Sequence, residues 1–185
     1  VVIHRMARAV IAGCALWAVS LAALADRYVV RPGTPGGTNA GPFDDWTRAA
    51  TQIQWAVDAA GDTGDTVWVS NGVYVLTNQI VVTNAVTLRS AEGHGPEDIL
   101  IDGGFTDIGA EGETTNRRCL WMSNAAALVY GFTFSNGASL LVTNKYDYSG
   151  SGAGVWMRAG VLSNCVVRDS ALFSPLYSYG GGGGI

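Results

Sequence analysis

From Thr66 to Phe173 the apolar positions come in short runs that alternate with polar ones, and each run is broken by Gly, Asn or Ser. A period of two bounded by turn residues is the signature of strands rather than helices. The pattern predicts strands near Thr66 to Ser70, Val73 to Leu76, Gln79 to Thr83, Ala85 to Arg89, Asp98 to Ile101, and Cys119 to Met122. Further runs follow at Leu128 to Phe134, Leu140 to Thr143, Gly154 to Met157 and Val161 to Arg168. One segment has the other period. Trp46, Ala49, Ala50, Ile53, Ala56, Val57 and Ala60 recur on one helical face, with Asp44 or Asp45 to cap the start and Gly61 to end it, which predicts an amphipathic helix over 46–60. Residues 26–45, with Pro32, Gly33, Pro35, Gly36 and Gly37, have no periodicity and predict an extended arm.

Two stretches are imperfect copies of each other. Leu120, Trp121 and Met122, running to Phe134, Ser135, Asn136, Gly137 and Ala138, are matched by Val155, Trp156 and Met157, running to Val167, Arg168, Asp169, Ser170 and Ala171. Self-similarity at this spacing predicts a repeat protein whose units bury their apolar faces on their neighbours. A second mark recurs: an apolar residue, then Ser or Thr, then Asn, ending at Asn71, Asn84, Asn124, Asn136, Asn144 and Asn164. Asn tolerates the left-handed backbone and hydrogen-bonds locally, so each mark predicts a strand end followed by a sharp bend.

The run Ile53 to Ala60, then Gly64 to Val69, Gly72 to Tyr74, Val86 to Ser90 and Ile101 to Gly104, taken in that order, resembles the N-terminal cap and first coils of exported parallel β-helix proteins, the pectin-lyase-like superfamily. The resemblance covers Trp46 to about Ser170. It implies an all-β fold, a right-handed parallel β-helix (a solenoid) whose open end is plugged by an N-terminal amphipathic capping helix. Gly152 to Trp156 and the terminal Gly180 to Ile185 look like coil openings, so the β-helix is expected to be incomplete at the C-terminus.

The first 25 residues change the picture of the apolar content. Arg5 and Arg8 precede the apolar run Ala9 to Ala25, and Ala23, Leu24 and Ala25 form a small-x-small site before Asp26, which predicts a cleaved signal peptide over 1–25 and an exported product, extracellular or at the cell surface, with no membrane span after cleavage. Met6 is the expected start. Cys119 and Cys165 are the cysteines beyond that leader, and each sits in a β-prone run where a buried free thiol is expected. The only histidines are His4 and His94, so no zinc spacing exists. Net charge is −4 with sparse charged residues, and Arg117 with Arg118 is the sole basic pair after the leader, which argues against nucleic acid as a partner.

Candidate chemistry is of two kinds. Asp102, Asp107, Glu111 and Glu113 could supply oxygen ligands to calcium, the single candidate ion, in a Gly-rich loop that is otherwise read as solvated. No other cofactor is implied. Trp121 and Trp156 occupy matching repeat positions, and alternation puts them outside if Leu120, Met122, Val155 and Met157 face inward; the opposite alternation makes them an interior stack. Outward rings, extended by Tyr146 and Tyr148, would grip sugars. The resemblance implies one of two arrangements in catalytic members, calcium on clustered carboxylates with an Arg or Lys base in the lyases or about three Asp on neighbouring coils in the hydrolases, and no residues here match either. The expected function is an adhesin-like scaffold binding carbohydrate or another cell-surface ligand. The alternative is the N-terminal part of a polysaccharide lyase or glycoside hydrolase acting on pectin-like or other acidic polysaccharide, with catalytic coils beyond Ile185.

Overall fold

A computed structural model describes residues 24–61, 64–105, 118–140 and 152–173. The leader up to residue 23 lies outside them, as do Tyr146, Tyr148, Asp107, Glu111 and Glu113. The described chain is all-β with very little helix. Its strands are β1 (Asp26–Val29), β2 (Thr66–Val69), β3 (Gly72–Val75), β4 (Ile80–Val82) and β5 (Thr87–Ser90). They continue with β6 (Ile99–Asp102), β7 (Leu120–Met122), β8 (Leu128–Tyr130), β9 (Thr133–Ser135) and β10 (Ala138–Leu140). The last are β11 (Val155–Met157), β12 (Val161–Ser163), β13 (Val166–Arg168) and β14 (Ala171–Phe173).

Every strand pairing is parallel. The sheets run β1-β2-β5-β8-β12, β13-β9-β6-β3 and β11-β7-β4, with β10-β14 as a two-stranded fourth. The chain visits the three larger sheets in turn as β2, β3, β4, then as β5, β6, β7, and again from β8 and β9 through β10 to β11. Inward positions fall in register from strand to strand. Val67, Leu88 and Val129 form one such row, Tyr74, Ile101, Phe134 and Val167 another, and Ile80, Leu120 and Val155 a third. All but Val167 are buried and belong to one apolar cluster, against which Val167 packs. Like residues stacked in register let short, three- or four-residue strands share a continuous core.

Local chemistry explains where strands end. The apolar run from Leu128 to Phe134 is two strands because Gly131 takes φ +87 where its Cα lies against the Ser90 side chain, a conformation and a proximity that exclude a Cβ. The run from Val161 to Arg168 is likewise divided, at Asn164 with φ 48. Asn136 has φ 54, so two of the marked asparagines use the left-handed region directly. Two others act through their side chains. The Asn84 amide donates to the Val57 and Ala60 carbonyls at 3.2 and 3.0 Å, and the Asn124 amide donates to the Thr83 carbonyl at 3.1 Å. Each thereby ties a bend to the segment before it in the stack.

The N-terminal region departs from expectation twice. The arm over 26–45 contains a strand, β1, which joins β2 and extends the largest sheet. The helix expected over 46–60 is broken: Trp46–Arg48 is a 3-10 turn, and α1 spans Ile53–Ala59. The reason lies between them. Ala50 is drawn into extended backbone, donating to Tyr28 O at 2.8 Å and accepting from Val30 N at 2.9 Å, so two strand-type bonds replace helical ones. Asp45 caps the 3-10 turn, its carboxylate accepting from Thr47 and Arg48 amides.

The helix α1 buries Ile53, Ala56 and Val57 and packs against β1, β2 and β4. Its Gln54 meets the edge of β4 as a strand would. The side-chain oxygen accepts from Val81 N at 2.7 Å, and the amide nitrogen donates to Val81 O at 3.2 Å and to Asp58 at 2.7 Å. One side chain thus satisfies both backbone groups of an edge residue, which would otherwise stay unpaired under the helix. Gln54→Leu keeps the bulk and deletes both bonds. It is expected to destabilise the protein by about 1–3 kcal/mol, read as a shift of the urea midpoint at unchanged slope.

Candidate functional site

The two matching tryptophans lie side by side. Val81, Trp121 and Trp156 are in register on the outward face of β4-β7-β11, and Leu120, Met122 and Val155 are buried on the other face. Outward alternation is therefore the one realised. The indole centroids are 6.0 Å apart with 27° between planes, a stacked pair. Arg118, only 6% exposed, brings its guanidinium 4.6 Å from the Trp156 centroid and donates to Ser139 Oγ at 3.2 Å. Burial lowers its pKa from the ordinary arginine value. The ring faces that meet each other are closed to a ligand. What the column offers is its half-exposed flank, two strands tall, with a cation set behind it. The Trp121 indole nitrogen is buried with no acceptor, so a donor at this column remains unused.

A second outward row was not visible in the sequence. On the largest sheet Tyr28, Trp68, Arg89, Tyr130 and Ser163 stand in register across all five strands. The Arg89 guanidinium lies 4.6 Å from the Trp68 centroid and 5.5 Å from that of Tyr130, sandwiched between two rings. Its Nε has no acceptor, and the two π faces are the environment that holds it. Tyr28 carries Trp46 on its other side, centroids 4.6 Å apart, because residues 43–50 fold back along β1. The alternation around Trp68, Arg89 and Tyr130 could have flagged each as outward; their alignment depends on register alone.

Of the remaining candidates, Tyr146, Tyr148, Asp107, Glu111 and Glu113 lie outside the described residues. Asp102 is the one member of the calcium set among the described residues, and its carboxylate is engaged at home, accepting from Gly104 N at 2.8 Å and from Asn136 Nδ2 at 3.0 Å. Among the described residues no three His, Cys, Asp or Glu side chains cluster as metal ligands do. Asp44 and Asp45 both pair with Arg48, at 2.7 and 2.9 Å, next to the 3-10 turn. Arg168 and Asp169 form an exposed pair at 2.6 Å. Cys119 and Cys165 are free thiols. Burial pushes the Cys119 thiol up to about 12 and raises Cys165 as well, so neither is an activated nucleophile. No described helix is long and apolar enough to cross a membrane.

Comparison with known proteins adds no relative: no family model, no curated protein and no solved structure matches the chain.

Proposed function

We propose that this chain is an exported right-handed parallel β-helix of the pectin-lyase-like kind, acting as a scaffold that binds carbohydrate on its outer wall. The observation that carries the reading is the Trp121 and Trp156 column, outward, in register and half-exposed, with Arg118 against it. The half-exposed flank of the two indoles offers an apolar strip to the C–H groups of sugar rings, with the Arg118 cation behind it, and repetition from strand to strand suits a polymer whose units also repeat. The finer fold is supported by the repeated visiting order of three parallel sheets, since a chain that winds about one axis must return to each sheet in sequence. Export is supported by the apolar run Ala9 to Ala25 behind Arg5 and Arg8.

Affinity electrophoresis in gels cast with a neutral glucan or with pectin tests the binding. The chain is expected to be retarded in at least one polysaccharide gel. The Trp121→Ala, Trp156→Ala double variant is expected to lose about tenfold in apparent affinity. Equal mobility in every gel, or equal retardation of the double variant, overturns the reading.

A further inference from the structure

A cleft on the largest sheet combines aromatic walls with carboxylates that have no ion-pair partner among the described residues. It is about 380 Å³ in volume and is lined by Asp26, Tyr28, Trp46, Trp68, Ala91 and Glu92. Three rings bound it. Tyr28 and Trp46 meet at 58°, so they form a corner rather than a flat stack, and Trp68 neighbours Tyr28 in register on β2. Trp46 is 42% exposed, high for a large ring.

The charges of the cleft are all of one sign. Asp26 and Glu92 are exposed, and neither is ion-paired among the described residues. The cations that come near are committed elsewhere. Arg48 is held by Asp44 and Asp45, and Arg27 donates to the Ala59 and Asp26 backbone carbonyls. Arg89 lies between Trp68 and Tyr130. The negative field reaches the rings themselves: the Tyr28 hydroxyl is 3.5 Å from Asp26 Oδ2, and burial together with Asp26 and Asp45 raises its pKa. The same sheet already uses the complementary chemistry once, holding its own guanidinium over Trp68 and Tyr130.

Electron-rich ring faces set at an angle, with carboxylates at the margin and with Arg89 in register on the side of Trp68 away from Tyr28, form a receptor for a large, weakly hydrated positive charge. A small hydrated metal ion gains little from rings, and an anion is repelled. We propose that this cleft binds the alkylated ammonium head of an organic cation, of the trimethylammonium type, between Tyr28, Trp46 and Trp68 with Asp26 and Glu92 as counter-charges. The site lies on a different sheet from the indole column and does not depend on the carbohydrate reading.

The test is titration of the full chain with choline chloride, followed by tryptophan fluorescence and calorimetry. 3,3-Dimethylbutan-1-ol, the neutral carbon isostere, is run in parallel. Choline is expected to bind at least about tenfold more tightly than the isostere, with affinity falling as salt rises. Trp46→Ala is expected to weaken choline binding by about tenfold and Trp46→Phe by less, because Phe keeps a ring face. Glu92→Gln, an exposed change that leaves the fold alone, is expected to cost about threefold and to flatten the salt dependence. Phosphatidylcholine vesicles form a second arm: co-sedimentation competed by choline assigns the head to a lipid, and its absence beside choline binding assigns a soluble cation. The proposal is overturned if choline and the isostere bind alike, if choline does not bind at tens of millimolar, or if Glu92→Gln and Trp46→Phe both bind as the parent does.

Discussion

Phe134→Ala is expected to lower stability by about 3–5 kcal/mol, the largest loss for any single side chain here. Phe134 is fully buried on β9, in register between Ile101 of β6 and Val167 of β13, and its ring lies 5.9 Å from that of Phe132. The neighbours above and below are fixed by the hydrogen-bond spacing of parallel strands, so the wall cannot collapse into the space a removed ring leaves. The cost therefore combines the lost transfer energy with a persistent cavity. Urea unfolding followed by circular dichroism checks it. Phe134→Leu refills most of the volume and is expected to lose markedly less; an equal loss from both would locate the effect in the aromatic contact with Phe132 instead.

Gly137→Ala acts by the opposite route, overfilling. Gly137 precedes β10, and a methyl group there would overlap the Ala153 carbonyl and the Gly154 Cα, both backbone atoms. Gly103 faces Asn136 and Gly137 in the same way. Three bends therefore stack with main chain against main chain, a separation that only residues lacking a Cβ permit. Side chains can swing aside from an intruding methyl, whereas stacked backbone moves only if its hydrogen bonds yield. A loss of about 3 kcal/mol is expected, seen as a thermal midpoint about 6–12 °C lower. A midpoint within about 2 °C of the parent would mean that this bend opens freely, contrary to the close approach of its backbones.

Much of the strand content was legible because it is local. Val67, Val69, Leu88 and Met122 alternate with polar or aromatic neighbours, and the structure buries that set. The copied segments announced that Trp121 and Trp156 hold equivalent positions, and β7 and β11 pair them directly. What the repeat left open was which face they occupy, since alternation alone is symmetric under a one-residue slip. Burial of Leu120 and Val155 against Ile80 removed the symmetry. β1 escaped notice because Arg27, Tyr28 and Val29 form a short run before a Pro- and Gly-rich stretch; its partner β2 begins 40 positions later, at Thr66 opposite Asp26. The helix was over-extended for a related reason: Ala49 and Ala50 fit a helical face, but the edge of β1 offers Ala50 two backbone bonds at once.

The candidate sites divide the same way. Trp121 and Trp156 were legible through their repeat, but the closure of Trp156 by Arg118 was not, because it depends on where the chain enters β7. Asp102 read as a turn residue in a loop that could also supply calcium ligands, and its contact with the Asn136 amide was not legible because the two lie at the ends of different strands. The row of Tyr28, Trp68, Arg89 and Tyr130 left no trace in sequence, since residues from four separate strands carry no common spacing.

By itself, then, the sequence determined strand character, the bends at Asn and Gly, and the equivalence of repeated positions, because propensity and alternation act over a few neighbouring residues. Only the tertiary structure decided which outward side chains stand beside one another, where the helix breaks, and which carboxylates keep a partner. Those outcomes follow from parallel register between strands far apart in the chain, and register is set by the shared core and by backbone hydrogen bonds that no single segment contains.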